Sequence, residues 1–323
     1  MKRHIAAAFA ATFAATFMFA GTASAEDYPT RTVTILVPFA PGGIVDIAAR
    51  VVGERLQQKW GQSVVIENRA GASGMIAAQA AAKAKPDGYT LLGAEAGVSI
   101  INELIFKSAN YSMEKDFVPI ITLTDTPIVL VANANAGISS MKEFLAKAKT
   151  TELDYASPAT GTLNHLTGEW IAIESGAKLR HIGYKGGAPA ATAVAGGEVP
   201  LAVLAYSSAK PFVDSGRVKL LAVTDGKRVA VAPDLPTLQE SGVPNVSTTQ
   251  WAGLFAPAGT PQPIVDKIQK DIAEVLAMPD VKEKLGAVGA APQPSTSAEF
   301  AARLKKERAQ FQKIVAAAKI AVN

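Results

Sequence analysis

Short apolar runs of strand length alternate with helical segments twice along this chain, and that alternation restricts the fold more than any other feature. Thr32 to Phe39, Ser63 to Arg69 and Tyr89 to Glu95 are β-branched or apolar nearly throughout, which reads as three strands buried on both faces. Helices fit between them at Ile44–Lys59 and Gly74–Lys83, and Pro86-Asp87-Gly88 turns the chain into the third strand. Strand–helix–strand order implies right-handed crossovers and a parallel sheet. In the second block, strands are expected at Leu153–Ser157, Leu179–Tyr184, Pro200–Tyr206 and Val218–Thr224, with helices at Thr162–Ser175, Ala188–Ala195 and Ser207–Ser215. Two extended segments connect the blocks. Phe117 to Asn133, interrupted by Thr124-Asp125-Thr126-Pro127, reads as two strand pieces joined by a bend, and Gln250–Pro257 as the return path. Helices follow at Pro261–Ala277, Pro279–Val288 and Ser295–Lys319. The last carries an apolar stripe of Phe300, Leu304, Phe311, Ile314 and Val315 that suits docking on a domain.

Two alternating blocks joined by two crossings imply an α/β chain of two domains with a hinged cleft. The first domain is expected to be discontinuous, 26–124 plus 248–323, and the second to span 125–247. In open α/β sheets, ligands bind beyond the carboxyl ends of the strands, so the loops that leave strands and open helices carry the interest.

The amino terminus speaks to compartment. Lys2, Arg3 and His4 precede an uncharged apolar run from Ile5 to Ala20, followed by Ala23-Ser24-Ala25. That is the pattern of a secretory signal peptide over 1–25, cleaved before Glu26. The run is shorter than the roughly 20 residues that span a bilayer. The chain has no cysteine, which excludes thiol catalysis, cysteine metal sites and disulfide support. The formal charge of +4 falls to about +2 without residues 1–25, with both signs interspersed. That leaves no nucleic-acid stripe and no lipid-binding basic patch.

Two loops have matching chemistry. Pro38-Phe39-Ala40-Pro41-Gly42-Gly43 lies between the first strand and a helix containing Asp46 and Arg50. Its glycines permit a close backbone approach, and the helix start offers unpaired N–H groups for an anion. It lacks G-x-G-x-x-G, so it is not a dinucleotide fingerprint. Ser157 to His165 repeats the logic in the second block, with Ala159, Thr160, Gly161 and Thr162 ahead of a helix; Thr160 and Thr162 serve either as caps or as donors to a ligand. Neither loop contains Lys or Arg, so backbone donors would hold the anion. Further cleft positions by the same rule are Ser73 after the second strand, Glu95 after the third, and Tyr184 and Tyr206 at strand ends of the second block.

From Pro38 to Arg50 the chain reads P-F-A-P-G-G-I-V-D-I-A-A-R, which resembles the opening of the tripartite tricarboxylate transporter substrate-binding family, the Bug proteins. The similarity continues through Val65 to Arg69, Pro86 to Leu92, Tyr155 to Ser157, Thr160 to Thr162 with Asn164 and His165, Tyr184 to Gly186, Leu221 to Thr224, Pro233 to Thr237 and Trp251 to Pro261. It covers the chain beyond the signal segment. It implies a type II-like periplasmic binding protein that closes on a small organic carboxylate. Phe39 to Gly43 and Ala159 to Thr162 would hold that ligand, and a large and a small integral membrane subunit would receive it. Three positions depart from the family pattern. Ser73 replaces a glycine and Met75 a polar residue in G-A-G-G-N; Glu95 stands where small or hydroxyl residues are common; Leu204 and Ala205 replace Asp-Asn. Glu95 is therefore expected to line the cleft and meet a cationic or hydroxyl group of the ligand.

A hydrolase would need a nucleophile beside a base, and there is no G-x-S-x-G elbow. Only His165 and His181 remain beyond residue 25, too few for a zinc cluster; His165 reads as structural or capping. The expectation is a monomer with no catalytic residue, cofactor or metal, acting on no nucleic acid. A periplasmic sensor that presents its carboxylate to a receptor shares every one of these features; a cytoplasmic regulator of the same fold does not fit the signal peptide.

Overall fold

The computed structural model describes residues 28–318 and 320; the expected signal peptide over 1–25 lies outside them. The first block forms β1 (Val33–Val37), α1 (Ile44–Trp60), β2 (Val64–Asn68), α2 (Met75–Ala82) and β3 (Thr90–Ala94). β1 pairs in parallel with β2 on one side and with β3 on the other. β2 departs from the expectation of double burial. It is an edge strand with Val65 47% exposed, so alternate side chains face water.

After β3 the chain enters a wide π-type turn at Gly97–Ile101, which runs into α3 (Asn102–Ile105), and then α4 (Met113–Asp116). π-type turns are rare and concentrate at functional sites. β4 (Phe117–Asn133) is then one continuous strand of 17 residues, not two pieces joined by a bend. Thr124 to Pro127 pair in unbroken register with Ala252 to Thr249, and the register shifts lie before them, between Pro119 and Ile121 and between Thr122 and Thr124. α5 (Met141–Thr150) was not anticipated, although Ser140 caps it and Glu143 reaches back to the Ser139 amide, a local start signal.

The second block follows as β5 (Leu153–Ser157), α6 (Leu163–Ser175), β6 (Leu179–Gly183), α7 (Gly187–Gly196), β7 (Leu201–Ala205), α8 (Tyr206–Asp214) and β8 (Val218–Val223). β5 lies parallel to β6 and β7. β9 (Thr249–Pro257) returns to the first lobe. α9 (Gln262–Ala277), α10 (Pro279–Ala287), the two-residue β10 (Ala291–Pro292) and α11 (Ser297–Ala318) complete it.

The chain thus folds as two α/β lobes with a shared strand, the periplasmic-binding-protein architecture. The amino-terminal part of β4 pairs antiparallel with β9, which pairs antiparallel with β3. Its carboxyl-terminal part pairs with β7 on one side and β8 on the other. The parallel sheet expected in each block is therefore mixed, because one crossing strand runs against each, β9 in the first lobe and β4 in the second. In the first lobe α1, α9 and α10 cover one face around Ile35, Val52, Leu91, Val265 and Ile268. In the second, α7 and α8 pack on Val129, Ala202 and Leu204. A third apolar cluster runs through both lobes, and α11 seals it with buried Phe300, Phe311 and Ile314. Trp251 is fully buried there and donates its indole N–H to Glu307 at 2.8 Å, satisfying the polar end of a large apolar ring.

Candidate functional site

The two glycine-containing loops face one enclosed cavity of about 30 Å³ between the lobes, room for about two waters at roughly 10–15 Å³ each. From the first lobe it is lined by Phe39, Ala40, Gly43, Ile44, Asp46 and Glu95. The second lobe contributes Pro158, Thr162, Asn164, Gly187 and Ser208, and β9 contributes Gln250. The lining contains no Lys and no Arg. The lobes touch at its rim. A Cβ added at Gly97 would sit 2.9 Å from the Gly161 carbonyl oxygen and 3.0 Å from Thr162 Cα; one added at Gly161 would sit 2.7 Å from Asn102 Oδ1.

In the first loop Gly42 adopts φ +92°, a left-handed conformation that glycine takes without strain. Its N–H donates to Asp46 Oδ2 at 3.0 Å. Asp46 also accepts from Arg50 Nε and Asn68 Nδ2, and Asn68 donates to the Phe39 carbonyl as well. Burial pushes the Asp46 carboxyl up, but the hydrogen bonds from Arg50, Gly42 and Asn68 outweigh it and hold the group below the ordinary carboxylate range. Asp46 is thus ionised, paired and spent on shaping the loop. The first intrahelical bond runs from Ile47 N–H to the Gly43 carbonyl. The N–H groups of Gly43, Ile44 and Val45 precede it and have no intrahelical acceptor. No side chain caps this helix.

The second loop is built from neutral groups. Thr162 caps α6, its Oγ1 accepting from the His165 N–H at 3.3 Å and donating to the Ala159 carbonyl at 2.8 Å. The Gly161 N–H donates to His165 Nδ1 at 3.2 Å. The His165 ring stacks on His181 with centroids 3.9 Å apart, and His181 Nε2 lies 2.7 Å from Ser157 Oγ. Burial lowers His165 to about 4, and burial together with His165 lowers His181 to about 3. Both rings are neutral at physiological pH.

Of the residues singled out in the sequence, Phe39, Ala40, Gly43, Asp46, Glu95 and Thr162 line the cavity. Gly42, Ala159, Gly161 and His165 shape its walls through the contacts just given. Thr160 stands beside Gly183 and Pro41 beside Tyr184 in a separate, open depression. Tyr184 donates to Glu198 at 2.8 Å. Tyr206 is buried, its ring against Gly289 of the other lobe. Ser73 takes φ +53° and accepts at its carbonyl from Asn102. None of these last five lines the enclosed cavity. Ser208, from the strand end Tyr206-Ser207-Ser208 that the same rule points to, lines the cavity, whereas Asn164 and Gln250 were not expected in it. Gln250, a polar residue opening an otherwise apolar strand, was the available signal.

Glu95 does face the cleft. It is 1% exposed; its Oε2 accepts the Gly97 N–H at 2.8 Å, and its Oε1 has no partner. Burial pushes its carboxyl up to about 7, against the lowering effect of the Gly97 and Val98 amides. The described residues contain no cluster of metal-ligating side chains, and none of their helices is long and apolar enough to cross a membrane.

Two α/β lobes that share crossing strands and enclose a small cavity walled by helix starts have the form of a solute-binding protein. The family model for the tripartite tricarboxylate transporter family receptor matches residues 48–320. The chain belongs to that family. It is similar to BugT of Bordetella pertussis, 36% identical over 287 residues, covering 88% of each chain. It is equally similar to a UPF0065 protein of Bordetella bronchiseptica, 36% identical over 298 residues, covering 92% of this chain and 89% of that one. Among solved structures, R. palustris Rpa4515 with adipate superposes with a TM-score of 0.88 at 34% identity, covering 91% of this chain and 99% of that one. MatC from Rhodopseudomonas palustris with bound malate gives 0.83 at 31%, covering 89% and 100%.

Proposed function

We propose that the protein is a periplasmic receptor that captures a small organic carboxylate between its lobes and delivers it to a tripartite tricarboxylate-type membrane transporter. The observation that carries this reading is the cavity itself: α1 and α6 begin on its opposite walls, and the Gly43, Ile44 and Val45 amides of α1 are free of intrahelical acceptors. An anion there meets oriented N–H groups and the positive end of a helix dipole. Phe39 to Gly43 and Ala159 to Thr162 form the two jaws. The lobes, 26–124 plus 248–323 and 125–247, close about the crossing strands; closure excludes water and strengthens each hydrogen bond. Structural neighbours that hold adipate and malate support the ligand class. The amino-terminal pattern supports export by a cleavable segment over 1–25, membership of the receptor family supports the membrane partner, and a monomeric state is part of the same proposal.

The test is a thermal-shift screen of organic acids on the purified protein. A ligand at about 100 times its Kd adds about 2.7 kcal/mol to the folded state, a clear rise in Tm. If none of a broad set of mono-, di-, tri- and aminocarboxylates raises Tm, the reading is wrong. Delivery is tested separately: a deletion strain loses uptake of the acid found. Intact uptake with lost gene induction would instead make the protein a sensor.

A further inference from the structure

Three buried side chains bring unpartnered atoms to the same cavity. Glu95, at the end of β3, presents Oε1. Asn164, in the first turn of α6 on the opposite lobe, is 0% exposed with neither Oδ1 nor Nδ2 paired. Gln250, at the start of β9, is 6% exposed with Oε1 unpaired. Folded proteins leave few buried polar atoms without a partner. Three residues from three elements, gathered on one cavity, mark a place where the partner arrives with the ligand.

The chemistry of these atoms is one-sided. One carboxylate oxygen and two amide oxygens are acceptors, and Asn164 Nδ2 is the single donor among them. The point that a Gly97 side chain would occupy lies 2.5 Å from Glu95 Oε1 and 2.9 Å from the Gly161 carbonyl oxygen, which adds a fourth acceptor at the seam. Charge is one-sided too. Asp46 is matched by Arg50 at 2.9 Å, whereas Glu95 has no ion-pair partner and the lining supplies no cation. An alkylammonium group has one positive charge and N–H donors in a tetrahedral arrangement. A second ligand carboxylate would find only the Asn164 Nδ2 donor among these atoms, and wherever Glu95 is ionised it would face a like charge that a buried site screens poorly.

We propose that the ligand is a small aminocarboxylate, its ammonium held by the oxygens of Glu95, Gln250 and Asn164 and its carboxylate by the open amides at the start of α1. This rests on the carboxylate-binding reading above and narrows it to one ligand class. It also separates this chain from its structural neighbours with adipate and malate, whose ligands carry two carboxylates.

The experiment is calorimetry on the purified protein with matched acids that differ at one end only. The sets are succinate, β-alanine and 3-hydroxypropionate; glutarate, 4-aminobutyrate and 4-hydroxybutyrate; and propionate, lactate and alanine. In at least one set the amino member binds tenfold or more tighter than its partners. Glu95→Gln keeps the shape but removes the charge; it weakens that amino acid at least tenfold and leaves or improves dicarboxylate binding. Gln250→Ala, remote from the Glu95 backbone, weakens the same ligand severalfold and covers the case in which Glu95→Gln misfolds. Dicarboxylates or hydroxy acids binding tighter than every amino partner would overturn the inference and leave the carboxylate reading standing. So would an amino-acid preference untouched in both variants, since waters alone would then occupy these atoms. Silence from all the acids would bring down both.

Discussion

The two jaws of the cleft do the same job with opposite chemistry. In the first lobe the loop before α1 is fixed by a charge: Asp46 draws in the Gly42 amide, Arg50 and Asn68. In the second the loop before α6 is fixed by neutral groups, Thr162 and a stacked histidine pair. Each scheme uses up a glycine amide that a motif reading would assign to the ligand, Gly42 in one jaw and Gly161 in the other. The difference teaches that a helix start becomes an anion site only through the amides left over once its own loop has been secured. It also gives the jaws different weaknesses.

The sharpest contrast is steric. Gly161 has φ +85° and faces Asn102, Phe106 and Ile105 across the seam, whereas Gly43 is extended at φ −79° with nothing within 4 Å of an added Cβ. Gly161→Ala strains the loop and blocks closure, so affinity for the cognate acid falls by about tenfold to a hundredfold, against strain of roughly 1–3 kcal/mol. Gly43→Ala leaves the fold and Tm nearly unchanged. Calorimetry on both variants checks the pair; equal losses would erase the distinction.

The second contrast is in acid. The unfolded chain protonates His165 and His181 near pH 6.5, while burial holds the folded rings near 4 and 3. Their neutral packing is fully available above about pH 6.5 and is lost as pH falls from there toward 4, by a few kcal/mol. Asp46 sits below its ordinary value of 3.8, so the first jaw holds until pH drops under that. Glu95 has the opposite slope: its raised carboxyl, about 7 against 4.5 unfolded, costs stability as pH rises through that interval. Denaturant unfolding at about pH 7 and about pH 5 in Glu95→Gln therefore removes the Glu95 contribution and leaves the histidine loss set against Asp225, whose carboxyl burial pushes up to about 6. A His165→Gln, His181→Phe double variant in that background has a flatter profile.

The smallest effects compare the anchors. Asp46→Asn breaks an ion pair whose Arg50 partner is 49% exposed and weakens charge-assisted hydrogen bonds, costing about 1.5–3 kcal/mol. Thr162→Ala removes a neutral cap, costing about 1 kcal/mol. Added salt to about 1 M shrinks the first cost and not the second, because screening acts on the charged jaw; thermal denaturation at two salt concentrations reads the difference.

Much of this architecture was visible in the chain. The strand runs, the two glycine loops and the apolar face of α11 follow from local periodicity and turn chemistry, which neighbours a few residues apart determine. The continuous β4 was not, since Pro127 and the polar residues before it read as a break, whereas in the fold they pair in regular register with β9. Which amides stay free was not legible either, because Asp46 and His165 claim theirs through the folded geometry of each loop. Nor was the meeting of Glu95, Asn164 and Gln250, whose positions are far apart in sequence and adjacent only after two lobes close. Tyr184 and Tyr206 sit at strand ends, as the rule requires, yet lie off the enclosed cavity because α7 and α8 turn them toward Glu198 and Gly289.

β4 passes through both sheets and supplies ladder partners to each of them. Neither lobe can melt alone without stripping the other of ladder partners, so heat or denaturant should take the molecule apart in one concerted transition. The same strand makes movement between the lobes a twisting of a shared spring rather than the swing of a loose joint.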